Sequence, residues 1–228
     1  MTMAGMPITL ACEGWVDRDI LTRVLTDRGL AVGVVHAAGG SSAIDRKLEA
    51  YAHAARFSPW LVHRDLDLAA CAPGLVGRLV RRPPPGLNLI VPVRQIESWL
   101  LADRDGCAAF LRVAPASLPE RAETLPDAKR ALVALARHSR SRAIREGMVP
   151  RPQSERKVGA DYGNLVGEFV ATTWSPDRAV AGGARSLAKL LERIERFRRS
   201  GRWTLPPRPT PDLPPAIPPS APSRSRIR

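Results

Sequence analysis

Two stretches decide the fold: PITLACEG at residues 7–14 and WLVHRDLD at residues 60–67. Each is a short apolar run that stops at acidic side chains, Glu13 in the first and Asp65 and Asp67 in the second. A run of this length, bounded by glycine or charge, reads as a buried strand followed by a turn. The runs AVGVVHA (31–37) and LNLIVPV (87–93) have the same character. Pro92 suits the end of its strand or a sheet edge, because proline cannot donate to the ladder.

Helical patterns separate these strands. Over residues 17–29, Ile20, Leu21, Val24 and Leu25 form one apolar face, with Asp17 able to cap the helix and Gly29 able to stop it. Gly39-Gly40-Ser41-Ser42 forms a turn and N-cap before a helix over 43–56, a plain cap being favoured over a phosphate site. Further helices are expected over 74–82 and over 95–102, where Trp99, Leu100 and Leu101 are core. The alternation predicts an α/β fold, a mostly parallel sheet with helices on both faces. In such sheets ligands sit beyond the carboxyl ends of the strands, where Glu13 and the two aspartates fall.

After residue 106 the pattern turns helical, with helices expected over 107–113, 127–138, 162–173 and 183–199. The last carries Leu187, Leu190, Leu191, Ile194 and Phe197 on one stripe. Residues 140–161, rich in charge and poor in apolar periodicity, read as a mobile or binding loop. The expected organisation is an α/β core over 1–106, a helical extension packed on it over 107–203, and a disordered Pro/Ser/Arg-rich tail over 204–228.

The 228 residues hold 35 Lys plus Arg against 22 Asp plus Glu, a formal charge of +13, of which the tail carries only +3. That excess favours a polyanionic partner such as nucleic acid, although liberal use of arginine gives the same number without a binding face. Three dispersed cysteines, Cys12, Cys71 and Cys107, argue against a disulfide framework or zinc site and suit buried thiols in a reducing cytoplasm. No signal peptide or membrane span is expected. No GxxxxGK[ST] motif occurs, which excludes a P-loop ATPase.

The chemistry points to a cluster of carboxylates. Asp65 and Asp67 at i and i+2 of a strand end would point the same way, and Glu13 from a neighbouring strand end would complete a trio. Three such groups repel one another and call for a cation or protons. Mg2+, or Mn2+, is the natural occupant and could polarise a phosphoryl oxygen. The plainer alternative makes the aspartates helix caps and Glu13 a turn residue. Glu97, in a first helical turn just after a strand end, could serve as a second-metal ligand with Asp103 in support, or could simply favour the helix N-terminus. Lys129 could reach the site or a phosphate, or be solvated. Arg140, Arg142, Arg145, Arg151, Arg156 and Lys157 could follow a nucleic-acid backbone or be a solvated charged loop. His36, His53, His63 and His138 show no metal spacing and receive no role; His63 is expected in the third strand, on the layer opposite Arg64.

The order strand–EG, strand, strand–DxD resembles a Toprim domain, the metal-binding fold of topoisomerases, primases and overcoming-lysogenization-defect nucleases. EG at 13–14, HRDLD at 63–67, IESWLLAD at 96–103 and LPDAK at 125–129 resemble more closely the Toprim-like family called "domain of unknown function 4276", over about residues 8–200. The resemblance implies that Glu13 is a general acid/base and that Asp65 and Asp67 hold Mg2+. It further implies a metal-dependent nuclease of bacterial phage defence, sometimes beside a separately encoded ATPase. The rival readings are a non-catalytic nucleic-acid-binding subunit of such an ATPase and a phosphohydrolase acting on a small phosphorylated substrate.

Overall fold

The computed structural model describes residues 3–203, so the expectation for the tail lies outside the described residues. The chain runs β1 (Ile8–Cys12), α1 (Trp15–Thr26), β2 (Val32–Ala37), α2 (Ser41–Ala54), β3 (Trp60–His63), α3 (Ala72–Leu79) and β4 (Leu87–Ile90). There follow α4 (Glu97–Ala102), α5 (Arg104–Leu111), two single-turn 3-10 segments, α6 (Ala128–Arg137), α7 (Arg142–Met148), α8 (Tyr162–Thr172), α9 (Pro176–Ala181) and α10 (Arg185–Ser200).

The four strands are all parallel, in the order β2-β1-β3-β4. The chain lays β2 on one side of β1, then crosses back over it to place β3 on the other side. That reversal puts the topological switch point between β1 and β3, where open α/β sheets leave a crevice at the carboxyl ends of their strands. β4 is an edge strand and stops before Pro92, as the proline requires.

Alternation along the strands sorts the core into two layers. Ile8, Leu10, Cys12, Leu61 and Ile90 face α1 and, with it, every helix from α4 to α10. Ala11, Trp60, Val62, Leu87 and Leu89 face the other way, onto Ile44, Leu48 and Tyr51 of α2, with Val76 and Leu79 of α3 at the margin. The sheet is thus covered on both faces, and its central strand β3 is buried throughout. No helix among the described residues is long and apolar enough to cross a membrane.

The helical part is locked to the sheet through α4. Trp99 is fully buried; its indole N–H donates to Ser186 Oγ at 2.7 Å, and its carbonyl accepts the indole N–H of Trp174 at 3.2 Å. Asp103 ties α5 to α9: its two oxygens accept Gly106 N at 3.1 Å, Ser175 N at 2.8 Å, and Nε and Nη2 of Arg178, both at 2.8 Å. A support for a metal was one expectation for Asp103; its acceptor capacity goes to this clamp instead.

Two expectations about secondary structure fail. The 140–161 segment is not all loop: α7 forms there on only two buried apolar side chains, Ile144 and Met148, with Ser141 Oγ accepting Ile144 N. Two apolar positions in seven residues are too few for periodicity to reveal. α9, unassigned by periodicity, rests on a Ser175 cap with Pro176 in its first turn. In addition, Cys71 is exposed, not buried, because it serves as the N-cap of α3.

Replacing Trp99 by alanine removes an anchor of both layers. The expected loss is about 3–5 kcal/mol of stability, read as a lowered midpoint in urea unfolding.

Candidate active site

Glu13 follows β1 and Asp65 follows β3, adjacent strands at the switch point. The two meet directly: the backbone N–H of Asp65 donates to Glu13 Oε1 at 2.7 Å. The main chain of Glu13 is held from the other side. Its carbonyl accepts the N–H groups of Gly39 and Gly40, at 3.0 and 3.1 Å, from the turn between β2 and α2. That turn needs positive φ at both residues (85° and 111°), which glycine adopts without steric cost.

His63 is the group that sequence reading passed over. It lies on the same face of β3 as Leu61, toward α1, and is completely buried. Its Nε2 lies 3.2 Å from Asp65 Oδ1 and its Nδ1 3.6 Å from Asp17 Oδ2. Burial alone would drive the imidazole neutral, but Asp17 and Asp65 together outweigh it and raise the pKa from 6.5 to about 10. His63 is therefore a buried cation between two carboxylates. Burial likewise pushes Asp17 up, yet His63 and the Gly14 amide, which donates at 2.7 Å, hold its carboxyl below the usual range. Asp17 was expected to cap α1. The cap residue is Gly14, and Asp17, one turn in, reaches back to it. The signal that could have found His63 is the period of the strand: alternation from Leu61 aims residue 63 at the first turn of α1, where Asp17 stands.

Asp67 departs from expectation. β3 ends at His63, so Asp65 and Asp67 do not inherit the strand alternation that would aim them together. Asp67 takes a left-handed backbone (φ 48°), and its carboxylate accepts from Arg64 Nη1 at 3.1 Å. Its N–H and carbonyl are held by Arg94, through the Arg94 carbonyl at 3.2 Å and Nη1 at 2.8 Å. Arg64 also reaches Asp45 Oδ2 of α2, at 3.3 Å. Asp65 Oδ1, besides facing His63, accepts the N–H of Ile96 at 3.1 Å, which draws the start of α4 toward the crevice.

Glu97 is not an open rim ligand. It is almost fully buried, its Oε1 3.1 Å from Lys129 Nζ and 3.4 Å from the Tyr162 hydroxyl, which donates to it. Its Oε2 is buried with no hydrogen-bond partner. Burial raises its pKa, with Lys129 opposing; burial lowers that of Lys129, but Glu97 more than restores it and the ammonium stays charged. Of its expected roles, Lys129 thus reaches the site as the counter-ion of Glu97, positioned by the Lys129 N–H donating to Gln95 Oε1 at 3.0 Å. Tyr162, like His63, carried no sequence signal. The remaining basic candidates, Arg140, Arg142, Arg145, Arg151, Arg156 and Lys157, are all exposed. Arg142 is paired with Glu146 at 2.7 Å, and Arg145 donates to the Ser139 carbonyl at 2.5 Å.

Charge bookkeeping singles out one carboxylate. Asp17 and Asp65 share His63, Asp67 has Arg64, and Glu97 has Lys129. Among these five acids, Glu13 has no cationic partner within ion-pair distance. Burial, followed by the charges of Asp65 and Asp67, lifts its pKa from 4.5 to about 7 despite the Asp65 amide. Among the described residues no group of three or more His, Cys, Asp or Glu side chains is arranged to hold a metal ion. The expected trio is thus reduced to a pair, Glu13 and Asp65. A carboxylate pair of this kind still suits Mg2+, which commonly takes one or two carboxylates and completes its shell with water and phosphate oxygens.

Compared with known proteins, the chain matches no family model, no curated protein and no solved structure.

Both shifted groups bind protons more tightly in the folded state, so both give stability that is lost as pH rises. For Glu13 the loss falls between 4.5 and about 7, and for His63 between 6.5 and about 10. Urea titrations across about pH 5 to pH 10 should therefore show stability falling with pH. Glu13→Gln should flatten the lower part of that profile. His63→Gln should flatten the upper part and cost about 3–5 kcal/mol, because Asp17 and Asp65 lose their buried counter-charge.

Proposed function

We propose that the chain hydrolyses phosphodiester bonds of a nucleic acid, with Glu13 and Asp65 at the reacting centre. One observation carries this reading: a carboxyl poised near pH 7 is joined to a second carboxylate residue across the switch point of a parallel sheet. A general base works best with a pKa near the working pH, and Glu13 is the member of the cluster that no protein cation silences. The excess of basic residues, about +10 within residues 1–203, supports a polyanionic substrate.

In this mechanism Glu13 takes a proton from the attacking water as the oxygen–phosphorus bond forms. The bond from phosphorus to the leaving oxygen breaks, and that oxygen is protonated from solvent. Asp65, oriented by His63 and by the Ile96 amide, is the residue that would hold a divalent cation, Mg2+ or Mn2+. Such a cation neutralises developing charge on the phosphoryl oxygens. Asp67 joins it only by releasing Arg64. His63 keeps Asp17 and Asp65 ionised at neutral pH, and the Glu97–Lys129 pair adds a cation behind them. The arginines of residues 140–157 are the candidates for contact with more distant phosphates.

The test is cleavage of supercoiled plasmid, single-stranded DNA and RNA in Mg2+, in Mn2+ and in EDTA. Cleavage should need the metal, and Glu13→Gln and Asp65→Asn should each slow it by about 10²–10⁴-fold with the circular-dichroism spectrum unchanged. Undiminished cleavage by either variant would falsify the mechanism.

A further inference from the structure

The proposed centre is flanked by apolar side chains that the fold leaves in water. Four large hydrophobic residues are conspicuously exposed: Trp15, Val34, Phe57 and Leu68. Two of them adjoin the carboxylates. Trp15 lies two residues after Glu13, in the first turn of α1, and is 62% exposed; Leu68 directly follows Asp67 and is 97% exposed. The other four tryptophans are buried: Trp60 at 8% exposure, Trp203 at 4%, and Trp99 and Trp174 at 1%. A tryptophan left in water costs hydrophobic free energy that these four recover by burial. Trp15 is also presented with a cation: the guanidinium carbon of Arg18 lies 4.8 Å from the ring centroid and is tethered by the carboxylate of Asp19, at 2.7 Å from Arg18 Nε. An aromatic plane backed by an arginine, beside a phosphodiester-cleaving centre, is the combination that holds one unpaired base by stacking while the cation faces the backbone.

We propose that Trp15 is a stacking platform for a nucleobase, and that the substrate is therefore a single-stranded nucleic acid, or a strand whose base is unpaired next to the scissile phosphate. This rests on the phosphodiesterase reading for its location, but not for its test. In a duplex both faces of each base are already stacked on neighbours, so an aromatic ring at the centre has nothing to take up. A single strand offers a free face at every residue, which makes the platform tolerant of sequence and selective for strandedness. Leu68, on the opposite lip, gives the extruded base an apolar edge.

The full chain carries its own reporter, because Trp15 is the exposed tryptophan of the five. Intrinsic fluorescence is titrated in EDTA, so that no cleavage occurs, with a single-stranded oligonucleotide and with the same sequence as a duplex. The single strand is expected to quench the solvent-exposed emission and the duplex to leave it unchanged. In Trp15→Phe the quench should vanish while a labelled single strand still binds, by anisotropy, close to the wild-type level. In Trp15→Ala binding should weaken about tenfold to a hundredfold. Because Trp15 packs little of its surface, both variants should fold as the wild type does. Equal quenching by the duplex, binding of single strands without quenching, quenching by neither nucleic acid, or unweakened binding by Trp15→Ala would each overturn the proposal; the third is the result a protein-docking role for Trp15 gives. If single strands quench but nothing is cleaved in any metal, the stacking site stands and the phosphodiesterase reading falls.

Discussion

A charge inside the molecule, on His63, organises what surrounds it. An imidazolium with no access to water is held there only because Asp17 and Asp65 face its two nitrogens. Each of those acids has a further duty. Asp17 reaches back to the Gly14 amide and so sets the start of α1, while Asp65 draws in the amide of Ile96 and offers its own N–H to Glu13. One buried cation thereby positions the beginnings of two helices and the loops after two strands. It also removes the repulsion that would otherwise push these carboxylates apart, leaving the unbalanced charge at Glu13. That is why a single group near neutrality emerges from so crowded a set of acids.

The sheet and its layers were legible because they rest on patterns that need no long-range knowledge. Continuous apolar runs mark strands covered on both sides, and the intervening stripes mark their crossovers. The placement of Glu13 and Asp65 at neighbouring strand ends followed from the same reading. The orientation of Asp67 did not, because it depends on where the strand stops and on the left-handed turn after it, and Arg64 decides that locally. Glu97 was recognisable as a residue near the sheet's rim, but not as one sealed beneath it. Its burial depends on Lys129 and Tyr162, from helices far along the chain. His63 and Tyr162 share this history: each acts through partners remote in sequence, and neither type nor spacing announces such a partner.

Short helices were the other blind spot. α7 and α9 hold few apolar side chains and are secured by caps and by contacts with the larger layer, such as the Asp103–Arg178 pair. Periodicity measures how much a helix buries on its own account, so elements that borrow their stability from neighbours escape it.

The position of α4 bears on how this molecule could change over time. Six residues long, it gives its leading amide, at Ile96, to Asp65 and its Trp99 to the helices around Trp174 and Ser186. The sheet with its acids and the helical layer behind it are therefore not interchangeable modules. A recombination event that joined residues 1–106 to a foreign partner would strip the cover from Trp99 and unsettle the very amide that orients Asp65. Inheritance of the carboxylate cluster is in this sense bound to inheritance of the helices, and variation within the helical layer is a route by which the cluster can be retuned without any change to the acids themselves.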